Sequence, residues 1–189
     1  MAAGLSVRMD CLVLKKALRA AGRLPTSMAI GVNLSAATLT GVDVSELVEQ
    51  EVRDSGIAAE RLHFELTETS VLRVDDRVTA TMAEVAALGV RWWVDDFGTG
   101  YSSISHLRDL PITGLKLDRT FTAGITHRDT RNASIALGLA GLAAGLGLDT
   151  VAEGVETARQ ASTLSEQGWQ MGQGHLFGAA QDLAAFAVQ

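Results

Sequence analysis

Two adjacent carboxylates, Asp95 and Asp96, stand at the end of an apolar run that is typical of a buried strand. The run is Val90–Val94, and the loop after the pair contains Gly98 and Gly100. Neighbouring carboxylates near a low-dielectric interior repel each other and lose hydration, so such a pair usually persists against a cation or strong donors. The pair therefore indicates a metal site, with a helix start or an exposed turn as the competing interpretation.

Other polar residues end other strand-like segments, and strands alternate with helix-like segments along the whole chain. These residues are Asn33, Glu65, Lys116, Glu153 and Gln173. Parallel strands need crossover connections, usually helices, so this alternation predicts an α/β fold with a parallel sheet. In a TIM-type (β/α) barrel the carboxyl ends of the strands converge on one mouth, where catalytic residues meet. An incomplete TIM-type barrel is therefore our predicted architecture.

The predicted barrel is short of strands. About six strands are visible, whereas a full barrel of this type has eight and typically about 250 residues. The 189-residue chain begins on a helix-like segment, so we expect the first strand region to be missing. No Pro/Ser/Gly-rich linker divides residues 1–189, which predicts a single domain.

Composition restricts the class of partner. The net charge is −6 and Lys and Arg do not cluster, which argues against binding to long nucleic acid but leaves a small anionic ligand possible. The single Cys11 cannot form an intrachain disulfide, and the N-terminus lacks a secretory signal. The uncharged segment 132–148 is rich in Ala and Gly and predicts a buried helix rather than a membrane anchor. We expect a cytoplasmic protein with no membrane segment.

The strand-end residues suit divalent-metal chemistry. Oxygen ligands from Asn33, Glu65, Asp95 and Asp96 favour Mg²⁺ or Mn²⁺ over zinc. Two such ions about 3.5 to 4 Å apart can activate a water and stabilise the oxygens of an in-line phosphoryl displacement. Lys116 would add positive charge at the reacting phosphate, and Glu153 could accept the proton of the water. A Schiff-base lysine is the alternative for Lys116, but nearby carboxylates would keep it charged.

Six motifs in this order resemble those of EAL domains. They are Gly31-Val32-Asn33-Leu34-Ser35, Glu65-Leu66-Thr67-Glu68-Thr69, Asp95–Ser103, Leu115-Lys116-Leu117-Asp118, Ala152-Glu153-Gly154-Val155-Glu156 and Gln173-Gly174. The resemblance implies a TIM-barrel phosphodiesterase that opens cyclic di-GMP to linear pGpG with Mg²⁺ or Mn²⁺.

The resemblance also implies roles for single residues. It makes Asn33, Glu65, Asp95 and Asp96 metal ligands and places Lys116 and Glu153 at the water. Glu68 resembles the glutamate that steadies the loop after the paired aspartates, a loop that helps to form the family's homodimer. Glu156 and Gln173 match positions around the substrate and the second ion.

Two departures from the family pattern keep a second function open. The Glu-Ala-Leu tripeptide, whose glutamate is a metal ligand, has no counterpart, and Phe177-Gly178-Ala179-Ala180 lacks the proline that usually follows the last strand. The chain is therefore interpreted either as a cyclic di-GMP phosphodiesterase or as a catalytically weak or inactive module that binds cyclic di-GMP or a protein. A sensory or cyclase domain in a parent protein is a further expectation.

Overall fold

Six parallel strands form one sheet in which every strand pairs with the next one along the chain. The structure, a computed structural model, describes residues 2–71, 74–100, 104–126 and 130–182. The strands are β1 (Ile30–Asn33), β2 (Leu62–Thr67), β3 (Arg91–Phe97), β4 (Ile112–Leu117), β5 (Asp149–Ala152) and β6 (Met171–Gly172). This order and the uniformly parallel pairing confirm an incomplete TIM-type barrel, an open sheet that curves around one mouth.

Helices connect the strands. They are α1 (Ala2–Ala21), α2 (Ala36–Gly41), α3 (Val44–Ser55), α4 (Glu68–Val71), α5 (Asp76–Ala87), α6 (Ile104–Asp109), α7 (Arg119–Thr122), α8 (Thr130–Leu146) and α9 (Ala158–Glu166), with a 3₁₀ turn at Ala59–Arg61. Local caps fix several of their starts. The Asp75 carboxylate accepts a hydrogen bond from the Val78 amide, and Thr157 and Gln160 form a reciprocal capping box at α9.

Two neighbouring tryptophans mark the two faces of the sheet. Trp92 is fully buried under α5, where its Nε1 donates to the Met82 carbonyl at 2.9 Å. Trp93 points to the opposite face, because successive side chains of a strand alternate. It stacks on His63 with 5.4 Å between ring centroids, and it lies so close to Gly114 that a Cβ there would be 2.5 Å from the indole. The helices therefore cover one face, and the other forms the inside of the barrel.

The bounds of several helices and strands differ from those that the sequence predicts. The spacing of Leu12, Val13, Ala17 and Leu18 predicts a helix from Met9 to Ala21, whereas α1 begins at Ala2. The sequence predicts a last strand over 169–176, whereas β6 has only two residues; Gly174, with φ 154°, takes the chain out of the extended run. Helices α2, α4, α6 and α7 have four to six residues, too few for a helical period to be visible.

The uncharged segment that approached membrane length forms α8, which packs against β4, β5 and α7. None of the helices within the described residues is both long enough and apolar enough to cross a membrane.

Candidate active site

A β-bulge turns both aspartates of the pair toward the barrel mouth. Alternation would send Asp95 inward and Asp96 outward. The pairing with β4 advances from Val94 to Phe97 on β3 while β4 advances only from Leu115 to Leu117, so β3 contains one extra residue. The backbone of Asp96 accommodates the extra residue by adopting the left-handed conformation, with φ 54°. Asp tolerates this conformation better than most residues. The two carboxylates thereby share one site.

Lys116 is the centre of this site. Its Nζ lies 2.6 Å from Glu153 Oε1, 2.9 Å from Glu65 Oε2 and 3.1 Å from Asp95 Oδ1. The lysine side chain is 8% exposed and its three partners are 14–17% exposed, so the charges interact largely out of water. Four strand ends therefore converge, as the barrel interpretation predicts.

The surroundings of Lys116 decide between its two proposed chemistries. Burial alone would lower the pKa of the ammonium, but hydrogen bonds to Glu153 and Glu65 and the charges of Glu65 and Asp95 outweigh it and raise the pKa above its usual value. A Schiff-base lysine needs a lowered pKa. The raised pKa favours the charged ammonium of Lys116 and argues against the aldolase-type role.

Three carboxylates form a group that could hold a metal ion. Oxygens of Asp95, Asp96 and Glu153 lie within 4.8 Å of one another. Asp95 Oδ1 is buried and, although close to Lys116 Nζ, receives no hydrogen bond from any described residue. A cluster of hard carboxylate ligands fits a divalent cation. The chain thus contains a candidate divalent-metal centre.

The protonation behaviour of Asp96 points in the same direction. Loss of hydration, the charge of Asp95 and a hydrogen bond with Asp118 raise the pKa of Asp96. Burial would also raise the pKa of Asp118, but hydrogen bonds from the Thr120 hydroxyl and amide lower it below its ordinary value. The mouth holds more negative charge than Lys116 alone neutralises, and a bound cation would relieve that repulsion.

Asn33 and Glu65 lie on the open side of the mouth. They are register partners across β1 and β2, and β1 pairs with no strand on its other side within the described part of the chain. Glu65 packs over Gly31, where a Cβ would collide with the carboxylate, and bonds to Lys116. Asn33 is exposed, one strand further from Asp95. The predicted ligands thus follow one another at the ends of β1, β2 and β3, and Asn33 and Glu153 each lie two strands from the aspartates, on opposite sides.

Glu68 is buried at the start of α4 and reaches the loop that follows the aspartates. Its Oε2 accepts hydrogen bonds from the Gly98 amide at 3.0 Å and the Gly100 amide at 2.8 Å. A Cβ on Gly100 would lie 2.9 Å from the Glu68 carboxyl carbon, so glycine permits this approach. The loop-steadying role that the resemblance implied for Glu68 stays a prediction, which this contact supports. Residues 101–103 of the loop lie outside the described residues.

Glu156 and Gln173 border a separate cavity of about 430 Å³ beside the mouth. Gln173 follows β6, and its backbone bonds to both Ala152 and Val155 hold it beside the strand that leads to Glu153. Glu156 is exposed, with its amide bonded to Gln160 Oε1. Both residues therefore lie next to the metal candidate rather than within it.

Two residues in or beside the site were not assigned roles from the sequence. Asp118 contacts Asp96 through a hydrogen bond, and Arg119 lines the cavity with Glu156 and Gln173. Asp118 directly follows β4, and Arg119 comes one residue later as the first residue of α7. The position immediately after a barrel strand was the available signal.

A family model described as the EAL domain matches residues 2–180. The chain belongs to the EAL domain family. The chain is 35% identical over 186 residues to the cyclic di-GMP phosphodiesterase NbdA of Pseudomonas aeruginosa, a match that covers 96% of this chain and 24% of that protein. It spans between about a fifth and a quarter of the first curated relatives that it matches, for which the covered shares are 20%, 22% and 24%.

Solved EAL structures share the fold. The structure described as PaMucR phosphodiesterase in complex with c-di-GMP has a TM-score of 0.87 and 35% identity, with 93% of this chain and 78% of that chain covered. Klebsiella pneumoniae BlrP1 in a manganese and cyclic di-GMP complex has a TM-score of 0.83 and 27% identity, with 90% and 44% covered. These comparisons confirm the family and the incomplete barrel. They leave the roles of single residues in this EAL domain as predictions.

Proposed function

We propose that this EAL domain hydrolyses cyclic di-GMP to linear pGpG with divalent metal ions, Mg²⁺ or Mn²⁺. The observation that carries the proposal is the contact of Lys116 with Glu65, Asp95 and Glu153 beside an acidic cluster at the barrel mouth. The relatives named as cyclic di-GMP phosphodiesterases support the substrate.

The proposed metal ligands are Asp95 and Asp96, with Glu65 and Asn33 on the neighbouring strands. Asp95 and Asp96 belong to the carboxylate group with oxygens within 4.8 Å, and Asp95 Oδ1 also forms an ion pair with Lys116 at 3.1 Å. Bound divalent ions would supply positive charge to the attacking and leaving oxygens of an in-line displacement.

Glu153 and Lys116 would act on the water and the phosphate. Glu153 Oε1 is engaged by Lys116 Nζ, which leaves Oε2 to accept a proton as the water oxygen bonds to phosphorus. The bond from phosphorus to the ribose 3′-oxygen breaks, and that oxygen gains a proton, so one ring opening gives the linear dinucleotide. Lys116 stabilises negative charge that develops on the phosphate, because its ammonium is fixed in place before the reaction.

The loop after the aspartates would complete the site and form a homodimer. Glu68 supports this proposal by holding the loop at Gly98 and Gly100. The greater length of the relatives supports a sensory or cyclase domain in a parent protein. A cytoplasmic location fits a nucleotide substrate and the single cysteine.

One observation favours a second function, binding of cyclic di-GMP without turnover. β1 has no partner on its outer side among the described strands, so Asn33 and Glu65 are supported from one side only. Imprecise metal ligands bind cations more weakly and catalyse poorly.

An assay of the purified chain separates the two functions. Cyclic di-GMP is incubated with the chain and Mn²⁺, and the products are resolved by chromatography. pGpG that disappears in Lys116→Ala and Glu153→Gln supports hydrolysis. Saturable binding without pGpG favours the binding module, and neither binding nor product rejects both functions.

A further inference from the structure

The residues below the Lys116 cluster form a layer of their own inside the sheet. Alternation places the side chain two positions before each site residue on the same face, about 7 Å further down the strand. These positions, which we call the floor layer, lie below Asn33, Glu65, Asp95 and Lys116 and are, in that order, Gly31, His63, Trp93 and Gly114. Two of the four are glycines, so two aromatic rings are left to fill this layer.

Trp93 contacts floor residues on both neighbouring strands. Its indole stacks on His63 of β2 with 17° between the ring planes, and its six-membered ring lies against Gly114 of β4. Trp93 is only 4% exposed, although β1 and β6 do not pair and leave the sheet open in the described part of the chain. The indole therefore closes the interior beneath the site.

The indole N–H indicates that this position supplies volume rather than a hydrogen bond. Nε1 of Trp93 is buried and has no hydrogen-bond partner among the residues that the structure describes. On the opposite face, Trp92 donates from its Nε1 to the Met82 carbonyl. A buried donor without an acceptor costs stability, so apolar contact must offset it. A phenylalanine would reproduce most of that contact without the unpaired donor.

The site above the floor layer depends on close contacts that water would weaken. Lys116 Nζ lies within 3.1 Å of carboxylate oxygens of Glu65, Asp95 and Glu153. Interactions between charges weaken as water enters, because the effective dielectric constant rises. A smaller side chain in place of Trp93 would leave a cavity into which water or the side chains above could move.

We propose that Trp93 is a positioning residue for the metal-dependent reaction, whose indole holds Lys116 and Asp95 at the mouth and excludes water from beneath them. The inference rests on the proposed function, since it takes Asp95 as a metal ligand and Lys116 as the cation at the phosphate. Trp93 acts only through these two side chains.

The test compares Trp93→Leu, Trp93→Phe and the control Trp92→Leu with the unchanged chain. Trp92 is the same type of residue on the same strand and is fully buried, but it faces the helices instead of the barrel interior. The measurements are kcat and KM for pGpG formation, equilibrium Mn²⁺ binding, and the free energy of unfolding in EDTA, which also reports folding.

Trp93→Leu should lower kcat about 10-fold or more with little change in KM, because displacing a reacting group by about 1 Å can cost about 100-fold in rate. Its Mn²⁺ binding should also weaken. Trp93→Phe should restore kcat to within about threefold of the unchanged chain, since it refills most of the volume. Trp92→Leu should lose stability, as it leaves the Met82 carbonyl without its donor, but keep kcat and Mn²⁺ affinity.

A metal-free cycle separates positioning from general packing. In EDTA, the losses of unfolding free energy from Trp93→Leu and Lys116→Met should not add when the two are combined, because the side chains occupy adjoining space. The losses from Trp92→Leu and Lys116→Met should add, because those side chains lie on opposite faces of the sheet. Additive losses for the Trp93 pair would show that Trp93 does not act through Lys116.

Three further results would overturn the inference while leaving the proposed function intact. They are unchanged kcat and Mn²⁺ affinity in Trp93→Leu, an equal loss of kcat in Trp92→Leu, and a Trp93→Phe variant as poor as Trp93→Leu, which would assign the role to the indole N–H. If the unchanged chain binds Mn²⁺ but forms no pGpG, hydrolysis is rejected, and Mn²⁺ affinity and the EDTA cycle decide the inference. Failure to bind Mn²⁺ rejects both together.

Discussion

Lys116 Nζ lies 2.6 Å from Glu153 Oε1, and this contact joins the carboxyl ends of β4 and β5. Both residues come from neighbouring parallel strands, so the sheet itself sets their separation. The ammonium also bonds to Glu65 on β2, two strands away. One buried cation thus connects strand ends across the mouth, and its removal has two separable consequences.

The first consequence concerns stability. Lys116→Met keeps much of the apolar stem but leaves Glu65, Asp95 and Glu153 without their cation. Loss of one partner of a buried ion pair costs about 3–5 kcal/mol of unfolding free energy. Because these carboxylates are still partly exposed, we expect a loss of about 3 kcal/mol or less. Chemical denaturation in EDTA measures it. Added Mn²⁺ should restore part of the free energy of unfolding, because it binds the folded state; a Mn²⁺-insensitive variant would contradict the metal assignment.

The second consequence concerns turnover. Lys116→Met should lower the rate of pGpG formation by about 100-fold or more, the usual range for a positioned acid–base or charge-stabilising group. The matched control is Lys15→Met, since Lys15 is half-exposed on α1 and pairs with Glu51 far from the mouth. Equal rates in the two variants would remove Lys116 from the reaction.

Glu68 is expected to act through the loop rather than on the substrate. In Glu68→Ala the Gly98 and Gly100 amides lose their acceptor, so their hydrogen exchange should speed up and the pGpG rate should fall about 10-fold or more. Glu84→Ala, an exposed site on α5, is the control. A rate loss without faster exchange at the two glycines would argue for a direct role of Glu68 instead.

Two glycine substitutions test whether space around Glu65 matters. In Gly31→Ala the new Cβ would collide with the Glu65 carboxylate and move it from Lys116, so turnover should fall by an order of magnitude with a smaller loss of stability. Gly138→Ala lies on α8 with open space around it and should instead stabilise by about 0.5–1 kcal/mol with unchanged turnover. Unchanged turnover in Gly31→Ala would show that Glu65 can move freely.

Asp10 anchors α1 to the segment after Asn33. Its Oδ2 accepts hydrogen bonds from the Ser35 amide and hydroxyl at 2.8 and 2.7 Å and from the Thr38 hydroxyl. Asp10→Ala leaves those donors unpaired, so we expect a loss of roughly 2–3 kcal/mol of unfolding free energy and weaker Mn²⁺ binding. Asp54→Ala, exposed on α3, should change neither. A stability loss with unaltered Mn²⁺ binding would separate Asn33 from the metal site.

The barrel and the convergence of its strand ends were predictable because polar residues end apolar strands at a regular interval. Lys116 and Glu153 meet for that reason alone. The geometry of the aspartate pair was not predictable, since it depends on a bulge against β4 and on the left-handed backbone of Asp96. A bulge leaves no periodic pattern in the sequence, because it depends on how two strands pair in the folded sheet.

Arg119 and the short helices were missed for different reasons. Arg119 lines a cavity together with Glu156 and Gln173, which are 37 and 54 positions away along the chain. No local pattern reports such a cavity. Helices α4 and α7 have four residues each and form where a buried strand end meets a cap, so tertiary context rather than periodicity decides them.

The rate of pGpG formation as a function of Mn²⁺ concentration, in the unchanged chain and in Asp95→Asn, tests the metal-dependent hydrolysis most directly. The predicted result is a saturable rate that EDTA abolishes and Mn²⁺ restores, with at least a 100-fold loss in Asp95→Asn because the substitution removes one carboxylate of the proposed metal centre. pGpG formed in EDTA, or equal rates in the two proteins, would contradict it.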